Sequence, residues 1–167
     1  MFQFRADDTK NGLIVYVGQN SYLGGGDDFF AVGVNNNKLV LQYNLGSGVA
    51  AIESQQNISS GWHVVTAGRR GRKGYLYLDD TVSEGVSPGE LAGLNVFTPL
   101  YIGGVSAFNR LPNVIKFQKG FQGSIYDFAI KLDGATYPLS TSTGSGEWDV
   151  IEGRNVKNES FDDCSKQ

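Results

Sequence analysis

Between Gly12 and Gly48 apolar residues recur at every second position, a period that fits β-strands and not helices. In DFFAVGV, Phe30, Val32 and Val34 share one face, and in KLVLQYN, Leu39, Leu41 and Tyr43 do the same. Asn35, Asn36 and Asn37 separate the two runs. Asparagine tolerates positive φ and bonds its own backbone, so the pair closes as a tight hairpin. Asp28 then starts one strand and Leu45 lies just past the end of its partner. A carboxylate and a backbone carbonyl meet at one edge, and hard oxygen donors of this kind suit calcium.

The rest of the chain repeats the period. Its 23 glycines in 167 residues are about twice the usual share of about 7%, and they fall between short apolar runs. Strands are expected over 2–5, 13–17, 29–34, 38–44, 49–53, 62–67, 75–79, 100–103, 124–130 and 137–139, at the turn spacing of sandwiches and barrels. In GYLYLDD, Tyr75 and Tyr77 alternate with Leu76 and Leu78, so leucine faces the core and the tyrosines the other side. Residues 145–160, with Trp148, Ile151 and Val156, read as an extended tail in preference to a turn of helix. One domain spanning 1–167 suffices on length. The expected fold is all-β, a two-sheet antiparallel jelly-roll sandwich.

Fourteen basic and 17 acidic residues give a net charge of −3, which argues against a general nucleic-acid binder. The opening MFQFRADD lacks the apolar run of a signal peptide, and no segment is apolar enough to insert in a membrane, so the chain reads as an excised domain targeted from elsewhere. Cys164 is the only cysteine and forms no internal disulfide. His63, the only histidine, shares a strand face with Val65 and Ala67 and reads as a packed or hydrogen-bonded residue in preference to a base. No serine-nucleophile motif accompanies it. Asp79 with Asp80, or with Glu53, would be needed as a glycosidase pair, but Asp-Asp at a strand end reads as a turn. The glycine run before Asp27 and Asp28 lacks the lysine of a phosphate loop.

Four segments, GLIVYVG, DFFAVGVNNNKLVLQYNLGSG, GWHVVTAGRRGRKGYLYLDD and LNVFTPLYIGG followed by FQGSIYDFAI, together resemble the laminin G-like family, a concanavalin-like fold, in the family's order. The look is nearest to modules of perlecan, agrin and pikachurin, with SPG at residues 87–89 in the family's place. Two departures stand out. The family usually opens with a strand ahead of Phe2, so the chain reads as lacking it and the edge at Phe2 as open to pairing. Ser124 stands where the family has a cysteine whose partner Cys164 matches, which leaves the tail less firmly tied.

The resemblance implies a calcium site made of Asp28, the carbonyls of Leu45 and Gly93, and Asn95, the last an aspartate in many relatives. One carboxylate fewer implies weak affinity. It also implies an extracellular, secreted or cell-surface module of the matrix or basement membrane. Its partners would be the acidic glycan of α-dystroglycan, heparan sulfate, a receptor ectodomain or other matrix proteins. Two loops could serve an anionic partner: Arg69, Arg70, Arg72 and Lys73 in one, Arg110, Lys116 and Lys119 in the other. Asn57 and Asn158 begin sequons for N-glycosylation. A metal-independent protein-interaction module is the alternative, and a glycan-active enzyme a third reading.

Overall fold

The computed structural model describes residues 1–19 and 28–139. Twelve strands are described: β1 (Phe2–Ala6), β2 (Asn11–Gly18), β3 (Phe29–Asn35), β4 (Lys38–Asn44), β5 (Val49–Glu53), β6 (His63–Arg70), β7 (Lys73–Leu78), β8 (Thr81–Val86), β9 (Tyr101–Ile102), β10 (Gly123–Tyr126), β11 (Ala129–Leu132) and β12 (Ala135–Pro138). Among the described residues the only helical piece is a single 3-10 turn at Phe108–Arg110. The expected tail at 145–160, Asp27, Cys164 and Asn158 lie outside the described residues.

Two five-stranded sheets stack as a sandwich, one ordered β10-β1-β6-β7-β8 and the other β5-β4-β3-β2-β9, with β11 and β12 as a separate hairpin. All strand ladders are antiparallel; an isolated bridge between Leu13 and Gly120 is parallel. The core between the sheets takes the alternating residues read from sequence: Val32, Val34, Leu39, Leu41, Tyr43, Val65, Leu76 and Leu78 are all buried there. Asn36 and Asn37 adopt φ of 50° and 64° and close the β3–β4 hairpin.

The edge expected at Phe2 is not an edge. β1 lies inside its sheet, paired with β10 on one side and β6 on the other, so its backbone groups are taken up by the two ladders. The strand expected over 124–130 breaks at Asp127, whose φ of 51° interrupts the extended backbone and separates β10 from β11. β8 was not expected, because its inward positions are Thr81, Ser83 and Gly85 and show no apolar period. The space they leave is filled from the facing sheet. A Cβ on Gly85 would sit 2.9 Å from Ile52 Cγ1, and one on Gly74 would sit 2.6 Å from Tyr43 Cε1.

The outer face of the second sheet is also covered. Leu13, Tyr16, Phe29, Ala31 and Val40 pack there with Ile115 and Phe117 of the segment that crosses the sheet before β10. Side-chain amides satisfy that segment's backbone. Lys116 N–H donates to Gln42 Oε1 at 2.8 Å, Gln118 N–H to Asn11 Oδ1 at 2.8 Å, and Asn11 Nδ2 to Lys116 O at 2.9 Å. β2 and β3 are therefore apolar on both faces.

Candidate metal centre

Asp28 immediately precedes β3 and is 4% exposed. Its Oδ2 accepts from the backbone N–H of Asn95 at 2.9 Å and from Asn95 Nδ2 at 3.2 Å. Among the described residues no lysine or arginine forms an ion pair with it, and Oδ1 faces Gly46. A buried carboxylate without a counter-charge is costly, and two donors on one oxygen offset only part of that. Leu45 is buried at 1% exposed and follows Asn44, the partner of Phe29, which sets it opposite Asp28. Asn44 Oδ1 accepts from the N–H groups of Gly46 and Gly48 at 2.9 and 3.1 Å and so fixes the turn that follows. Gly93, two residues before Asn95, is close enough that a Cβ there would sit 3.9 Å from Asn95 Nδ2. The fold thus brings Asp28, Leu45, Gly93 and Asn95 to one edge of the sandwich.

The loop carrying Asn95 is held there by arginines of the β6–β7 turn. Arg69 Nη1 donates to Gly71 O at 2.7 Å and to Ala92 O at 2.8 Å. Arg72 Nη1 donates to Ser87 O at 3.3 Å and to Gly89 O. Ser87, in the SPG segment, is 1% exposed and donates to Gly48 O at 3.4 Å. This turn is therefore the basic loop beside Asp28. Arg70 is exposed, and Lys73 pairs with Glu84 at 2.8 Å.

The second basic loop lies at the opposite end of the strands. Lys116 pairs with Glu53 at 2.8 Å, at the end of β5 remote from Asn44, and Lys119 pairs with Asp8 at 2.6 Å, beside the start of β2. Arg110 belongs to the 3-10 turn. The seven cations do not form one patch. Lys119's hydrogen bond, with that of the Lys10 N–H second, holds the Asp8 carboxyl below the usual carboxylate range. Asn57 is exposed.

His63 enters an arrangement that sequence reading missed. Its Nδ1 is 2.8 Å from Asp79 Oδ2, and its Nε2 is 3.3 Å from Ser59 Oγ and 3.2 Å from Ser59 O. Asp79 Oδ1 also accepts from Val64 N–H at 2.9 Å. The signal lay in hairpin register: with the turn at 70–73, Asp79 falls opposite Val64, next to His63. Glu53 sits in the other sheet from Asp79 and cannot pair with it.

This architecture, two antiparallel five-stranded sheets packed face to face, defines a jelly-roll β-sandwich. The laminin G domain family model matches residues 4–133, and the chain belongs to the laminin G domain family. Over 170 residues it is 39% identical to the zebrafish (Danio rerio) protein eyes shut homolog, covering 98% of this chain and 6% of that protein. Over 128 residues it is 42% identical to the human eyes shut homolog, covering 74% and 4%. Bovine pikachurin, one of the modules named from the motifs, is 33% identical over 150 residues, covering 87% and 14%. The chain spans a small fraction of each of these relatives. Domains LG4-5 of mouse laminin alpha1 superpose with a TM-score of 0.68 at 23% identity, covering 85% of this chain and 38% of that one. That likeness shows the fold.

Proposed function

We propose that this domain is an extracellular binding module that uses calcium at the Asp28 edge to hold an acidic glycan, of the α-dystroglycan or heparan sulfate type, or a receptor ectodomain. The observation that carries this reading is the buried Asp28 carboxylate, which has no cationic partner among the described residues and whose Oδ1 lies beside Gly46 in the turn after β4. The donor set fits the ion. Asp28, the Asn95 amide oxygen and the carbonyls of Leu45 and Gly93 are all hard oxygen ligands. Turning the Asn95 amide over would set its oxygen against the carboxylate, an arrangement of two acceptors that a cation between them favours. A bound calcium would supply positive charge to an anionic partner. Arg70 would add a guanidinium fork beside it, while Arg69 and Arg72 position the loop. The second basic loop, with Arg110, Lys116 and Lys119, would serve a separate contact. An N-glycan at exposed Asn57 agrees with a secreted protein of the matrix or cell surface.

One observation favours a metal-independent module: Asn95 already gives Asp28 two hydrogen bonds. The Ser59–His63–Asp79 array does not favour an enzyme, because Nε2 meets the Ser59 carbonyl as closely as its hydroxyl and the ring serves to fasten the loop before β6. The test is binding to immobilised heparin and to the α-dystroglycan glycan, with calcium and with chelator. Retention should require calcium and fall in Arg70→Gln. Equal retention in chelator would favour the metal-independent module, and no retention on either surface would overturn the glycan reading.

A further inference from the structure

The two sheets differ on their outer faces. The second is covered by Ile115, Phe117 and their neighbours, whereas on the first Val64 is 47% and Tyr77 41% exposed. Strand alternation puts Tyr75, Tyr77, Thr66, Val82 and Glu84 on the same side as Val64, opposite Leu76 and Leu78. We propose that this face holds a stacking site for a neutral pyranose, with Tyr75 as its floor, Tyr77 as its wall and Glu84 with Lys73 as its hydroxyl-binding rim.

Gly68 shapes the floor. It pairs with Tyr75 across the β6–β7 ladder, and a Cβ built on it would sit 2.5 Å from the tyrosine oxygen and 2.7 Å from Cζ. The Tyr75 side chain is therefore laid across β6 instead of standing off the sheet, and it can lie there only because residue 68 has no side chain. Glycine inside a strand is unfavourable relative to alanine, so the position is explained by the ring it admits. Tyr77 meets Tyr75 with centroids 6.2 Å apart and planes at 69°, a corner of two aromatic surfaces.

A chair-form sugar with equatorial hydroxyls presents a patch of C–H groups on one face. Those hydrogens carry partial positive charge and suit the negative face of an aromatic ring. Its edge hydroxyls need donors and acceptors at the rim. Glu84 lies directly opposite Tyr75 in the β7–β8 ladder, and its carboxylate is bridged to Lys73 at 2.8 Å, so an acceptor and a donor stand side by side. The charges of that pair cancel beside the rings, which suits an uncharged sugar there, while exposed Arg70, opposite Lys73 in the β6–β7 ladder, marks where the face meets the arginine-rich rim beside Asp28. Both groups are half exposed, so their pairing yields readily to hydroxyls.

The experiment is a titration of the intact 167-residue chain with lactose, cellobiose and N,N′-diacetylchitobiose, each taken well past millimolar concentration and followed by the aromatic NMR signals. At least one sugar should shift Tyr75 and Tyr77 saturably, to the same extent with calcium and with chelator. Tyr75→Ala should weaken binding about tenfold or more, whereas Tyr75→Phe, which keeps the ring, should stay within about threefold. Gly68→Ala should also weaken it although no contacting group is removed. A melting curve on each variant confirms folding. The proposal is overturned if no sugar gives a saturable shift, if Tyr75→Ala binds as the parent does, if binding needs calcium, or if the same signals move with protein concentration alone, which would assign the face to a second copy of the chain.

Discussion

Exchanging Asp28 for asparagine separates a metal ligand from a structural carboxylate, because the two roles give opposite dependence on calcium. The side chain keeps its size and an oxygen to accept from Asn95, but loses its charge. Without calcium two effects oppose. Hydrogen bonds to a charged acceptor, about 1.5–3 kcal/mol each, fall to the neutral value of about 0.5–1.5, while an unpaired carboxylate is no longer held at 4% exposure, a relief of comparable size. The variant in chelator should therefore melt close to the parent. With calcium the parent gains stability by mass action. For a dissociation constant of about 10⁻⁴–10⁻³ M and about 10 mM calcium the gain is about 1.4–2.7 kcal/mol. In a domain of this size that raises Tm by about 3–10 °C. The asparagine variant should show less than about half of that rise. Melting of both proteins, followed by circular dichroism in chelator, calcium and magnesium, reads these differences. An equal rise in both proteins, or none in the parent, refutes Asp28 as a ligand, and a large loss in chelator assigns it to loop anchoring.

Other expectations follow from contacts already described. Arg69→Gln, which removes the donors to Gly71 O and Ala92 O, should raise the calcium midpoint several-fold by loosening the loop, while Arg70→Gln leaves that midpoint unchanged. Gly74→Ala forces a methyl group against Tyr43 and Ile52, and should lower stability by about 1–3 kcal/mol, read as a shift in urea midpoint at constant slope. Asp8 has its folded value lowered by Lys119, so its contribution is present above the unfolded value and is lost as pH falls through the folded one. Lys119→Gln should accordingly flatten the loss of stability measured below about pH 4, since unperturbed aspartate titrates near 3.9.

The parts of this fold legible in the sequence are those where one side chain in two is apolar. β3 and β4 declare themselves, and so does the hairpin closed by Asn36 and Asn37. β8 does not, because its inward residues are small and the facing Ile52 supplies the apolar volume. The hairpin brought Asp28 to Leu45, whereas only the resemblance joined them to Gly93 and Asn95, about 65 residues beyond Asp28. Spacing alone carries no such information, since loop position depends on how the sheets stack. The same holds for the basic loops. Seven cations look alike in sequence, yet Arg69 and Arg72 are spent on carbonyls, Lys116 and Lys119 on carboxylates, and only the fold tells which end of the sandwich each reaches. His63 was readable as buried, but its links to Ser59 and Asp79 rest on hairpin register that a period-two pattern does not fix.

The position of β1 has a consequence for how the chain reaches this state. Gln3 pairs with Tyr126 and Phe4 with Ile125, so the outermost ladder of one sheet joins the first residues to some of the last described. Contacts so far apart in sequence slow the search for the native topology into the millisecond-to-second range typical of sandwiches. Until residues 123–126 are available, β1 can close only its ladder with β6, and one side of it stays open to foreign strands. A ribosome-bound intermediate ending short of β10 is thus the species most exposed to mispairing, and release of β10 is the event that commits the sheet.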